Sequence, residues 1–167
     1  MTSKIHPRLL AAFVALGSSA TLGAALLSQY VGGLNPCVMC IWQRWPHAAA
    51  IALAALAVLA LRGRIAAAAI TLAALALLIG AGVGVFHVGV ELKYWAGPST
   101  CSGGDIGGLS TAELLNQIMN APIVRCDEVA WSFLGISMAG WNALLSVALA
   151  AAALRAARGY ASSSASQ

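Results

Sequence analysis

Charged side chains are scarce in this sequence. They make up 8% of the 167 residues, whereas soluble domains carry about 25%. Acidic residues are missing altogether from the first 90 positions. Hydrophobic residues reach 60% and the mean hydropathy is +0.85. This composition excludes a water-soluble globule, so the net charge of +4 indicates orientation in a membrane and not nucleic-acid binding.

Strict alternation of polar and apolar residues is also missing, which argues against a transmembrane β-barrel. Instead, four stretches with few or no charges are each long enough for the ~20 residues that cross a ~30 Å hydrocarbon core as a helix. They predict transmembrane helices at residues 9–31, 41–61, 65–90 and 131–154. The predicted fold is an all-α integral membrane bundle in which residues 1–167 form a single domain.

The first stretch also invites comparison with a signal peptide. A secretory hydrophobic region spans about 7–15 residues, whereas residues 9–31 contain no charge over their whole length. We therefore expect a retained first helix.

The few charges fall into two groups along the chain. Six of the nine basic residues lie before the first predicted helix, between the second and the third, or after the fourth, and these three places share one side of the membrane. They are Lys4, Arg8, Arg62, Arg64, Arg155 and Arg158. The five acidic residues lie in or beside residues 91–130: Glu91, Asp105, Glu113, Asp127 and Glu128. Because cytoplasmic loops carry an excess of Lys and Arg, we expect both termini in the cytoplasm and the loops at about 32–40 and 91–130 outside.

The long outer loop contains one helical pattern, "LSTAELLNQIMN". Ser110 and Glu113 have the spacing of a capping box, and an apolar stripe follows them. This pattern predicts a short amphipathic helix. It either lies on the membrane surface or packs as a cap on the protein.

The four cysteines are Cys37, Cys40, Cys101 and Cys126, and all fall on the predicted outer side. An even set confined to that side indicates disulfide chemistry. A zinc site is disfavoured because zinc knuckles place their cysteines two to four residues apart, whereas the second pair is far apart in sequence; we therefore predict no metal. Inert structural disulfides stay an alternative, although a Cys-x-x-Cys bridge closes a small ring and stabilises little. Two pairs on one side favour a relay by thiol–disulfide exchange.

Cys37 falls at the first turn of the second predicted helix, directly after Pro36. Unpaired backbone N–H groups and the positive end of the helix dipole favour an anion there, and thiolates at such positions have lowered pKa values. Arg44 lies one turn after Cys40 on the same helix face. We therefore expect its guanidinium to stabilise a Cys40 thiolate, the alternative being an arginine that only extends to the membrane interface.

His87 lies about one turn inside the same outer interface, near the end of the third predicted helix. Glu91 follows at i+4 and is placed to orient the ring or share a proton. The alternative is an ordinary interfacial histidine. Trp42, Trp45 and Trp95 lie at the same level and are typical of an interfacial aromatic belt.

Three segments carry a resemblance to a known family: "NPCVMCIWQRWPH", "FHVGVELKYWAGPSTCSG" and "APIVRCDEVAWSFLGISMAGWN". Together they resemble the disulfide bond formation protein DsbB family, from the first helix to the fourth. The related vitamin K epoxide reductase family differs, because its Cys-x-x-Cys motif lies late in the bundle.

The resemblance implies a bacterial inner-membrane protein of four helices that reoxidises DsbA, a soluble periplasmic thiol oxidase. The electrons would pass to ubiquinone or menaquinone. The alternative within the same chemistry is a relative that serves a different thiol partner.

The resemblance also implies roles for single residues. Cys101 would form the mixed disulfide with DsbA, and Cys126 would then attack Cys37. Cys40 would be left as the thiolate that faces the quinone. Arg44 would help to bind the quinone, and His87 would lie next to it.

Overall fold

The computed structural model describes residues 6–98, 101, 110–112, 115 and 124–165. Within these residues, four long helices and one short hairpin follow each other along the chain. They are α1 (Pro7–Tyr30), α2 (Val38–Leu59), α3 (Gly63–Glu91), β1 (Ser132–Phe133), β2 (Ile136–Ser137) and α4 (Met138–Ala165). The amphipathic helix expected in residues 109–120 lies largely outside the described residues.

Three of the four helices are long and apolar enough to cross a membrane. These spans are Pro7–Tyr30, Gly63–Glu91 and Met138–Ser163. The mostly helical membrane fold is thereby confirmed in its coarse form. The second helix carries Gln43, Arg44 and His47 in its first half, which lowers its hydropathy, and its crossing of the membrane stays a prediction.

The helices form a bundle in which α3 packs against α2 and α4, while α1 packs against the other side of the same two helices. Alanine supplies most of its core, and such small side chains let helix backbones approach closely. The glycines of α3 serve the same purpose: a Cβ atom at Gly80 would lie 2.9 Å from Cβ of Pro46, and one at Gly84 would lie 3.0 Å from Cβ of Ala143. These contacts show that α3 packs closely against α2 and α4.

The hydropathy pattern predicts that the fourth helix begins at residue 131, but the helix begins at Met138. Leu134 and Gly135 both have positive φ, 52° and 78°, which is typical of the tight turns that join two antiparallel strands. They connect the strand pairs Ser132–Ser137 and Phe133–Ile136. The hairpin is apolar, and its hydropathy therefore does not distinguish it from the start of a helix.

Two turns place the Cys-x-x-Cys motif at the end of the bundle. Gly33 has a φ of 69° in the turn after α1, and Leu34 N donates a hydrogen bond to Ser28 O at 3.0 Å. Cys37 then becomes the N-cap of α2. The C-terminus of α3 lies at the same end, because its His87 reaches the Cys37 sulfur.

Candidate thiol–disulfide site

The four cysteines of the chain meet at one end of the bundle. Cys37, Cys101 and Cys126 are buried in one cluster with Val90, and Cys40 packs against it. Cys101 and Cys126 form a disulfide, while Cys37 and Cys40 are free. The sequence alone leaves this connectivity open. The structure thus sets a reduced pair directly beside an oxidised one.

The sulfur of Cys37 receives most of the polar contacts of the free pair. It accepts a hydrogen bond from the backbone N–H of Cys40 at 3.2 Å, which caps α2. Nε2 of His87 lies 3.6 Å away, and the two free sulfurs are 3.0 Å apart. A thiol sulfur can donate or accept a hydrogen bond. Because the Cys40 backbone N–H and His87 both contact the Cys37 sulfur, we assign Cys37 as the acceptor in the hydrogen bond between the two sulfurs.

These contacts lower the pKa of Cys37, which precedes the first residue of α2. The hydrogen bond with the Cys40 thiol is the largest cause, and His87 and the Cys40 backbone act in the same direction, whereas burial opposes them. The pKa of Cys37 therefore lies well below its usual value of 9.0. The sequence argument placed the thiolate on Cys40, but in the reduced pair the structure favours a Cys37 thiolate next to a Cys40 thiol.

Arg44 lies on the same helix but its described hydrogen bond goes elsewhere. Its Nη1 donates to Oε1 of Gln29 at 2.6 Å, which links α2 to α1. Its Nε is buried and has no hydrogen-bond partner among the described residues. Among the described residues, Arg44 is therefore bonded to Gln29 and not to the Cys40 sulfur.

A cavity of about 490 Å³ opens between α1, α2 and α4, and both Cys40 and Arg44 line it. Its walls are mainly apolar, with Trp131, Phe133 and Trp141 among them. Small-molecule sites commonly have volumes of about 300–1,000 Å³, apolar walls and a few polar groups. The cavity has these properties and reaches the free cysteine pair.

His87 connects α3 to the free pair. Only 3% of its surface is exposed, and its Nδ1 lies 2.9 Å from Nε2 of Gln43. Oε1 of Glu91 is 4.0 Å from its Nε2, the i+4 pairing that the sequence suggests. His87 therefore lies beside the free cysteine pair, and its sulfur contact is to Cys37. Its place next to a quinone stays a prediction.

The same group of side chains also has the geometry of a metal site. The ligand atoms of Cys37, Cys40 and His87 all lie within 4.8 Å of one another. Thiolate and imidazole are ligands that zinc prefers. The absence of a metal stays a prediction.

Sequence reasoning missed a buried polar network behind the cysteines. Nδ2 of Asn142 donates to Oε1 of Gln43 at 2.8 Å, and Nε2 of His47 lies 2.9 Å from Oδ1 of Asn142. The available signal was the i, i+4 pair Gln43 and His47 within an apolar helix, because polar residues in membrane segments are costly and mark functional sites. Their partner on α4 is distant in sequence and gives no local signal.

Charged side chains hold the loop beside Cys126. Asp127 accepts hydrogen bonds from Lys93 and from Arg125, whose Nη2 lies 2.8 Å from Oδ2. Arg125, followed by Lys93, holds the pKa of the Asp127 carboxyl well below its usual range. These residues and Cys101 line a second cavity of about 380 Å³, on the loop side of the cysteine cluster.

The helical bundle, the apolar spans and the paired cysteines together define a membrane protein of thiol–disulfide chemistry. Comparison with known proteins makes the class specific. The family described as "Disulfide bond formation protein DsbB" matches residues 7–156. The chain belongs to this family, and its membership makes it a thiol oxidoreductase of disulfide bond formation in a bacterial inner membrane.

Curated relatives agree with this assignment. A "Disulfide bond formation protein B" of Polaromonas naphthalenivorans is 34% identical over 81% of this chain and 82% of its own length. The protein of the same name from Verminephrobacter eiseniae is 36% identical over 92% of this chain and 89% of its own. The Xanthomonas axonopodis protein is 34% identical, with 84% of each chain covered. No solved structure matches the chain significantly.

Proposed function

We propose that this protein reoxidises a periplasmic thiol oxidase of the DsbA type and passes the electrons through its two cysteine pairs to ubiquinone or menaquinone. One observation carries the proposal. The free pair Cys37–Cys40 lies between the Cys101–Cys126 disulfide and an apolar cavity that Cys40 lines. This order matches the path that electrons would take from a soluble thiol to a lipid-soluble acceptor.

The first exchange takes place at the loop disulfide. A partner thiolate attacks Cys101, a mixed disulfide forms, and Cys126 leaves as a thiolate. Cys126 attacks Cys37 of an oxidised Cys37–Cys40 bond, and Cys40 leaves. The second thiol of the partner then releases Cys101, which attacks Cys126 and restores the loop disulfide.

These exchanges leave the partner oxidised and Cys37–Cys40 reduced. Two electrons and two protons have therefore passed from the partner to the Cys37–Cys40 pair. The structure has the same pattern of bonds: Cys101–Cys126 is joined and the other two cysteines are free. Proximity supports the transfer between the pairs, since Cys126 is fully buried in the cluster that contains Cys37. Inert structural disulfides would leave the close, free pair without a role.

The cavity fits a quinone. Its apolar and aromatic walls suit an isoprenoid-substituted ring, and the guanidinium of Arg44, which lines the cavity, would donate to a carbonyl oxygen. A quinone bound there accepts two electrons and two protons. Cys40 is the member of the free pair that lines the cavity, so we assign it as the sulfur on the acceptor side.

The orientation belongs to the same proposal. We place the cysteine end of the bundle in the periplasm, because the opposite end carries Arg62, Arg64 and Arg158 and basic ends face the cytoplasm. A soluble thiol partner would then reach Cys101 beside the cavity formed by Lys93, Arg125 and Asp127.

Purified protein in lipid nanodiscs, a reduced DsbA-type protein and a short-chain ubiquinone test the proposal. We expect two partner thiols to disappear for each quinone reduced, measured by thiol titration and quinone absorbance. Cys40→Ser should abolish quinone reduction, whereas Ser18→Ala, at a buried position outside the cavity, should retain it. An active Cys40→Ser protein, or thiols whose state ignores added quinone, would refute the mechanism.

A further inference from the structure

The hydrogen bonds around Gln43 have a fixed direction, which begins at a backbone carbonyl. Nε2 of Gln43 donates to the carbonyl oxygen of Met39 at 3.2 Å, and that oxygen can only accept. The amide nitrogen of Gln43 is therefore on the side of Met39 and His87, and its oxygen is on the side of Asn142. Nδ2 of Asn142, at 2.8 Å from this oxygen, agrees with this orientation.

This orientation determines which ring nitrogen of His87 carries hydrogen. Nε2 of Gln43 lies 2.9 Å from Nδ1 of His87 and uses its second hydrogen there, so Nδ1 accepts. A neutral imidazole then carries its hydrogen on Nε2. Nε2 is the atom that lies 3.6 Å from the Cys37 sulfur, so the ring presents an N–H donor to that sulfur.

We propose that Gln43 is a positioning residue that holds His87 as an Nε2–H donor to Cys37, with Asn142 fixing the direction of the Gln43 amide. The proposal rests on the proposed function, since it assigns Gln43 a part in preparing the reduced cysteine pair. Gln43 is 5% exposed and belongs to α2, while its partners His87 and Asn142 belong to α3 and α4. Contacts of the Gln43 side chain thus link α2 to both α3 and α4.

The same contacts exclude a doubly protonated His87. An imidazolium would carry hydrogen on Nδ1 as well, and two donors would then face each other across 2.9 Å. Rotating the Gln43 amide by half a turn would set its oxygen against the Met39 carbonyl and its nitrogen against Nδ2 of Asn142. His87 therefore donates to the sulfur as a neutral ring and is not a cation beside Glu91.

Nitrogen-15 labelling of histidine tests the inference directly, because the chain contains three histidines. In reduced protein in nanodiscs we expect His87 to show a protonated Nε2 and an unprotonated Nδ1. Gln43→Glu replaces the donor by an acceptor of equal size and should move hydrogen to Nδ1. Gln43→Leu removes the donor and should give a mixture of tautomers. Gln29→Leu, at a glutamine that contacts Arg44 instead, should leave the His87 signals unchanged.

A second readout is the pH at which alkylation of Cys37 by a small reagent reaches half of its maximum rate. A lost hydrogen bond to a charged group changes an equilibrium constant by about ten-fold, so we expect this pH midpoint to rise by about one unit in Gln43→Leu. A doubly protonated His87 in the unaltered protein, or the same tautomer in both Gln43 variants, would overturn the inference. Lack of quinone-dependent thiol oxidation in the unaltered protein would instead refute the proposed function alone.

Discussion

At the scale of single residues, the two sulfurs of the Cys-x-x-Cys motif have different surroundings. Cys37 is 4% exposed and receives the backbone N–H of Cys40, whereas Cys40 lines the apolar cavity. One sulfur thus faces protein donors and the other faces the space proposed for the electron acceptor. This difference separates two tasks that the motif alone does not distinguish.

The lowered pKa of Cys37 predicts a thiolate that persists into acid. Thiolate forms as pH rises through the pKa of the folded state, so its ultraviolet absorbance in reduced protein should have a midpoint well below the ordinary thiol value. Cys40→Ala removes the largest cause and should move this midpoint upward by about one to two pH units. A midpoint near the ordinary thiol value in the unaltered protein would contradict the assignment.

Arg44 should act on binding more than on chemistry. We expect Arg44→Ala to raise KM for a short-chain quinone by about ten- to a hundred-fold, the range for losing a hydrogen bond from a charged donor, with a smaller change in kcat. Steady-state kinetics in nanodiscs measure both constants. Arg62→Ala removes an exposed guanidinium bonded to the backbone of Leu61 and serves as the control. Equal losses of kcat in the two variants would argue against a binding role for Arg44.

At the scale of secondary-structure elements, α3 is the central support of the site. It packs against both α2 and α4 and carries His87 to the free cysteines. Its close approach to α2 depends on a glycine beside Pro46, since a Cβ atom at Gly80 would lie 2.9 Å from Cβ of that proline. The position of His87 therefore depends on packing two turns away.

Gly80→Ala and Gly82→Ala form a matched pair that tests this packing. A Cβ atom at Gly82 meets nothing within 4 Å, so this change should be neutral or slightly stabilising, because alanine favours helix. Gly80→Ala should destabilise the bundle by about 1–3 kcal/mol, the usual cost of overpacking. Thermal unfolding in one detergent compares the two variants. Equal unfolding temperatures would show that α2 adjusts to the added methyl group.

At the scale of the whole molecule, much of the architecture follows from hydropathy. The first and third spans were predicted at residues 9–31 and 65–90, and the helices are Pro7–Tyr30 and Gly63–Glu91. Both stretches are long and contain no Lys, Arg, Asp or Glu, which explains the agreement. The hairpin before α4 was missed because its conformation depends on two positive φ angles and not on polarity.

Some residues of the candidate site could likewise be predicted from the sequence, and others could not. Its cysteines, Arg44 and His87 were recognisable because local spacing and motif mark them. The contact of Gln43 with Asn142 joins residues on different helices, and so does the orientation of the His87 ring. Such pairings depend on how helices rotate against each other, which a single sequence does not encode locally.

The orientation of the bundle in the membrane can be tested with two engineered cysteines in a background that has serine at all four native positions. Asn35→Cys precedes α2 at the cysteine end, and Arg62→Cys lies at the opposite end. In intact cells, a membrane-impermeant maleimide should label position 35, and it should label position 62 only after permeabilisation. The reverse pattern would invert the proposed topology.

The loop that leads from α3 to Cys101 begins with an indole ring on the helix surface. Trp95 Nε1 donates to the carbonyl of Phe86 at 2.9 Å, and a Cβ atom at Gly89 would overlap the ring. The fluorescence of this indole thus depends on whether the loop rests on α3. If docking of a soluble partner lifts the segment, its emission will shift towards the red, and the chain carries its own optical probe of that event.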